Sequence, residues 1–295
     1  MSAIGDRRLR SSGDPSSRPP RSWGQRLVGH AALLALGVML AVVTLVIVRY
    51  KQREIRRRHI QALDQLGHVN VIVDTRPRSF PFGLRLSDRD DIGVWRVTLL
   101  AKGESPEMAS ALRRFPEIRL LEIRQNRLDA DLCGAIAHLE NLRYLELARC
   151  DVDVDLGAAL ADCHRLDALR LVDCNVARSS WDVTRLPTGL RMLELSGMRV
   201  DAMQVTEIGR LVQLESLGLA RTGLDGSVLT GLRELPRLEF LDVRGLAIDD
   251  DSVDDLSKLR ALRWLVIDDT RLTESGLERL RAASPELRPI CLERD

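Results

Sequence analysis

Residues Ile118–Leu128 read IRLLEIRQNRL, and the same frame returns as LRYLELARCDV from Leu142 and LDALRLVDCNV from Leu166. It continues as LRMLELSGMRV from Leu190, LESLGLARTGL from Leu214, LEFLDVRGLAI from Leu238 and LRWLVIDDTRL from Leu262. Successive starts lie 24 residues apart throughout. One period earlier, VWRVTL from Val94 still supplies Val94, Val97 and Leu99. One period later the register is expected to slip by one residue, to a truncated LRPICL from Leu287. Within each unit the fourth and sixth positions are apolar and alternate with polar ones, the period-2 mark of a short strand with one buried face. The second half carries helical spacing, as in Met108/Leu112/Phe115, Leu132/Ile136/Leu139, Val228/Leu232/Leu235 and Val253/Leu256/Leu259. A unit of this size hides its apolar side only against its neighbours, so a stack with capped ends is predicted.

This frame, L-x-x-L-x-L-x-x-N-x-L, resembles the leucine-rich repeat family over about two-thirds of the chain. The resemblance implies an α/β fold: a leucine-rich repeat solenoid with a curved parallel sheet and short convex helices. It further implies a binding or scaffolding role, like that of membrane-anchored leucine-rich repeat proteins of bacteria, and no chemistry. The ninth position, Asn in the family, holds Asn126, Cys150, Cys174, Met198, Thr222, Leu246 and Thr270. Met198 and Leu246 depart from the pattern, so less well-satisfied turns are expected there. The residue closing each strand half is Ser105, Asp129, Asp153, Ala177, Asp201, Asp225, Asp249 or Thr273. All but Ala177 are good helix N-caps. The unit from Leu166, which lacks the cap and contains Pro187, should be irregular on its convex side.

The N-terminal sixty residues are of another kind. They hold twelve Arg or Lys against three acids, a balance of +9. Because the whole chain is +1, the remaining residues carry −8. Residues 1–26, rich in Ser, Pro and Arg, read as a disordered basic tail. Leu27–Val48 is a run of 22 residues without a formal charge, about 33 Å as a helix, and predicts a transmembrane helix preceding the solenoid. Trp23 and Tyr50 sit just outside its ends, at headgroup level. Arg49, Lys51, Arg53 and Arg56–Arg58 crowd its C-terminal flank, which leans toward repeats on the cytoplasmic side. Residues 49–67 read as a juxtamembrane basic helix, 68–93 as an N-terminal cap, 94–286 as the repeats and 287–295 as a C-terminal cap.

Nothing in the chain reads as catalytic. It has no glycine-rich phosphate loop, no G-x-S-x-G and no H-E-x-x-H, and its five His are scattered. No cofactor, metal, nucleic acid or small-molecule substrate is expected. A ligase-type effector would need an appended catalytic domain, for which the tail, span and caps leave no room. Cys150 and Cys174, one period apart, read as buried structural thiols, and no nucleophilic role is expected for Cys133, Cys163 or Cys291. The acidic run Asp249–Asp251 with Asp254 and Asp255 reads as helix-start charge, since no D-x-D-x-D-G loop is present.

The residues alternating with the buried ones are the candidate binding surface. Position 3 runs Arg96, Leu120, Tyr144, Ala168, Met192, Ser216, Phe240, Trp264. Position 5 runs Thr98, Glu122, Glu146, Arg170, Glu194, Gly218, Asp242, Val266, and position 7 adds Arg124, Arg244 and Asp268. An exposed apolar and aromatic column flanked by charge is the composition of protein-binding faces. The expected partner-binding set is therefore Leu120, Glu122, Arg124, Tyr144, Glu146, Arg170, Met192, Glu194, Phe240, Asp242, Arg244, Trp264 and Asp268. A column whose members cover one another, or a spacer that binds nothing, are the alternatives.

Overall fold

A computed structural model of the chain describes residues 69–70, 95–100, 105–177 and 181–290. The expected tail, the span at Leu27–Val48, the juxtamembrane helix and Cys291 lie outside the described residues, as does most of the N-terminal cap. Among the described residues no helix is long and apolar enough to cross a membrane.

Ten strands form one sheet in sequence order. Val69–Asn70 pairs antiparallel with Trp95–Leu100, placing a short strand of the expected cap on the first rung. Every later pairing is parallel: Ile118–Arg124, Tyr144–Ala148, Ala168–Val172, Met192–Glu194, Ser216–Gly218, Phe240–Asp242, Trp264–Val266 and Arg288–Ile290 follow in turn. Leu121, Leu145, Leu169, Leu193, Leu217, Leu241 and Leu265 face one another in register, each fully buried. This line is the spine of a single apolar core that also takes in the helix-facing residues Leu132, Ile136, Val205, Leu229 and Leu256. The predicted leucine-rich solenoid is thus built as a parallel ladder with helical connections. At its C-terminal end the expected one-residue slip is corrected, because Leu265 pairs with Pro289 and the offset of 24 persists. Leu287 is buried one position beyond the place that repeat position 1 would occupy.

The connections begin as the caps dictate. Asp129 accepts from the Leu132 N–H at 3.0 Å, Asp201 forms a reciprocal capping box with Gln204, and Asp225, Asp249 and Thr273 cap the later helical turns. Asp153 does not cap. Its carboxylate is taken by Arg127 of the preceding unit, and Asp155 caps Leu156–Leu160 instead. Among the described residues the first helix starts on Ser105 itself, Ser105–Leu112. Among its described residues the convex side of the unit from Leu166 carries a single 3-10 turn, Val183–Arg185, in keeping with the missing cap and Pro187.

One column was not read from sequence. Position 8 of all seven units is left-handed: Gln125, Arg149, Asp173, Gly197, Arg221, Gly245 and Asp269, with φ between 52° and 74°. The chain must turn sharply out of each strand there, and the position-8 N–H donates to the position-7 carbonyl one rung on, as Gln125 does to Ala148 at 2.8 Å. This turn answers the doubt over Met198 and Leu246, whose N–H groups donate to the carbonyls of Leu195 and Val243. A residue with a Cβ is strained by roughly 1 kcal/mol in this conformation. Gln125→Gly is therefore expected to be neutral or stabilising by up to about 1 kcal/mol in a urea titration, and Gln125→Val destabilising by at least as much.

Candidate protein-binding face

The face opposite the helices does not present an open apolar column. Leu120, Tyr144, Ala168 and Met192 pack on one another as a second, smaller buried cluster, and Ser216 and Phe240 are buried as well. The physical reason is spacing: in-register strands stand about 4.8 Å apart, closer than the breadth of these side chains, so large and small neighbours cover each other. The expectation of exposed contacts is thereby corrected for Leu120, Tyr144, Met192 and Phe240. Trp264 alone keeps it, at 37% exposure, with the Arg288 guanidinium 5.2 Å from its ring centre.

Position 5 is corrected in part. Glu122, Glu146 and Asp242 are buried, while Arg170 and Glu194 are half-buried. Glu146 is the hub: it accepts from Tyr144 Oη at 2.7 Å, Arg170 Nη1 at 2.8 Å and Arg124 Nη2 at 3.0 Å. Burial pushes the Tyr144 phenol well above its ordinary value. Thr98 donates to Glu122 at 3.3 Å, and Arg124 also reaches Glu122 at 3.5 Å. Asp242 is held by a fork from Arg244, Nε to Oδ1 at 2.9 Å and Nη2 to Oδ2 at 2.6 Å. Carboxylates lie below, and the more exposed arginines Arg124, Arg170 and Arg244 stand over them. Asp268 is half-buried beside this row.

Glu194 folds across Gly218, where an added Cβ would collide with its carboxylate, and accepts from the Ser196 hydroxyl. Burial raises its pKa above the ordinary 4.5, offset in part by Ser196 and Arg170. The folded state then binds the Glu194 proton more tightly than the unfolded chain does. The stability this confers is complete below about pH 4.5 and is lost as pH rises through the raised value. Glu194→Gln should therefore be more stable than the wild type at pH 7, with the difference closing toward pH 4. Urea midpoints across that range would check it.

The arginines bound a trough. Position 7 is small in four consecutive rungs, Ala148, Val172, Ser196 and Ala220, between Arg124 and Arg244. Two hollows of about 370 and 380 Å³ result, sharing Arg170, Val172 and Asp173 in their linings. Position 8 supplies the outer wall, including Arg149 and Arg221, which the sequence reading passed over because only positions 3, 5 and 7 were considered.

The other candidates for chemistry are accounted for structurally. Cys133, Cys150, Cys163 and Cys174 are buried free thiols, and burial lifts Cys133 to about 12 and Cys163 to about 11. Cys174 Sγ bonds the Leu147 carbonyl at 3.2 Å, and the Cys150 N–H donates to Cys174 Sγ at 3.5 Å, so the two thiols bridge backbone groups of adjacent turns. In the acidic run, Asp250 accepts from the Thr273 N–H and hydroxyl, Asp255 pairs with Arg233 and Lys258, and Asp254 lies 3.6 Å from Arg279. Among the described residues no cluster of three or more His, Cys, Asp or Glu could hold a metal ion.

No family model matches the chain, and no curated protein matches it. The solved structures it is similar to include two proteins of Listeria monocytogenes. One is an internalin (inlF), at 16% identity and a TM-score of 0.47 over 63% of this chain and 57% of that one. The other is an internalin C2, at 21% identity and a TM-score of 0.45 over 62% and 73% respectively. The chain thus spans little more than half the length of the first.

Proposed function

We propose that this chain is a non-catalytic, membrane-anchored leucine-rich scaffold that binds a protein partner along the strand face opposite its helices. Leu27–Val48 would insert into the lipid bilayer, and the basic flank at 49–58 favours repeats on the cytoplasmic side. The observation that carries the reading is the make-up of that face: half-exposed Arg124, Arg170 and Arg244 held by buried carboxylates, with exposed Trp264 farther along. Arginine and tryptophan are the side chains on which protein interfaces concentrate their energy. The contact set narrows accordingly to Arg124, Arg170, Arg244, Trp264 and Asp268, with Glu122, Glu146, Glu194 and Asp242 holding the arginines in place.

The test is affinity purification of the full chain from solubilised membranes after in-cell crosslinking. One partner should copurify in near-stoichiometric amount with the wild type and be lost from Trp264→Ala/Arg288→Ala, whose circular dichroism should be unchanged. Equal recovery with the variant would reject the face. Protease protection of the repeats in sealed vesicles reads the orientation.

A further inference from the structure

We propose that the trough along positions 5, 7 and 8 takes an extended peptide segment bearing acidic, basic and acidic side chains at alternate positions. The proposal rests on the protein-binding reading above and names the chemistry of the partner. Carboxylates inside the trough are already satisfied: Glu146 by Arg124 and Arg170, Asp242 by Arg244, and Glu194 by Ser196. The wall is different. Arg149 and Arg221 are exposed and have no anionic partner among the described residues, and exposed Asp173 has no cationic one.

The order of these three charges is fixed by the backbone. Arg149, Asp173, Gly197 and Arg221 occupy position 8 of four consecutive rungs, all left-handed. Asp173 leans over Gly197, where an added Cβ would collide with its Oδ1. Its carboxylate therefore stands over the Gly197 rung, and by the same measure the Arg221 side chain leans over Gly245. Three rung spacings, about 14 Å, separate the backbones of Arg149 and Arg221, and their long stems let each guanidinium swing along the wall. In an extended chain the side chains at i, i+2 and i+4 share a face and cover about 14 Å at roughly 3.4 Å per residue. Glu-x-Lys-x-Glu thus meets Arg149, Asp173 and Arg221 in turn, with its backbone over the small floor from Ala148 to Ala220. A single-stranded nucleic acid, whose charges follow one another without interruption, would press phosphate against Asp173.

The experiment is a fluorescence-anisotropy titration of the full chain in detergent with labelled Ser-Glu-Ser-Lys-Ser-Glu-Ser. Saturable binding is expected, at least tenfold tighter than for Ser-Lys-Ser-Glu-Ser-Lys-Ser. Arg149→Gln with Arg221→Gln should weaken it at least tenfold without loss of fold, since Gln125 already occupies the same backbone conformation. Arg149→Glu with Asp173→Lys and Arg221→Glu should reverse the preference between the two peptides. No binding, equal binding of both peptides, indifference to the arginine pair, or tighter binding of a deoxythymidine 12-mer would each overturn the proposal. Partner capture that depends on Trp264 but not on Arg149 and Arg221 would overturn it while leaving the broader reading intact.

Discussion

Leu169→Ala is expected to lower the unfolding free energy by about 3 kcal/mol, the usual cost of an uncollapsed cavity at a fully buried leucine. Leu169 is the third of seven leucines in register and lies between Leu145 and Leu193 in the fully buried line. A rung cannot shift to close the gap without breaking its ladder bonds to both neighbours. Val212→Ala, at a side chain left largely in solvent, should change stability by less than about 0.5 kcal/mol. Urea titrations of both variants, followed by far-ultraviolet circular dichroism, make the comparison. Similar midpoints for the two would mean that the rungs do not share one continuous core.

Glu146→Ala should cost nearly as much, about 3 kcal/mol, although it removes a carboxylate and no spine residue. Glu146 is buried, and its loss removes the acceptor of the Tyr144 hydroxyl, takes from Arg170 the carboxylate it is paired with and leaves Arg124 the longer contact to Glu122 at 3.5 Å. The arginines are partly in water, which keeps the effect at the lower end of the range for broken buried pairs. Glu146→Gln preserves acceptors and should lose less. A double-mutant cycle with Arg170→Ala should give a coupling of about 1–2 kcal/mol, surviving 0.5 M NaCl. Additive effects would place the carboxylate outside the arginine network.

The spine was legible because its signal is redundant: aliphatic residues at two fixed positions in seven successive units admit only one register of parallel pairing. The caps were legible for the same reason, except where chemistry between units intervened. Asp153 and Asp155 both suit a helix start, and Arg127, 26 residues before Asp153, decides between them. The binding face was less legible. Tyr144 and Met192 have the composition of contact residues, but alternation with Ala168 lets them bury one another, and no linear pattern distinguishes a covered column from an open one. The left-handed column left a faint trace, Gly197 and Gly245 at the same position two units apart. Five of its seven members carry side chains, which hid the rule and with it the roles of Arg149, Asp173 and Arg221.

The hand-over of each position-8 N–H to the following rung makes the units interchangeable at their seams. Gly197 donates to Ala220 and Arg221 to Arg244 by the same bond at the same length, 2.8 Å. Excising residues 214–237 would bring the Gly197 donor opposite the carbonyl of Arg244, with Leu193 opposite Leu241. A gene lineage of such a protein can therefore gain or lose whole cassettes of 24 codons and change its reach with the backbone joint preserved. Side chains at the seam are left to be refitted, such as Glu194, which would meet Asp242 in place of Gly218.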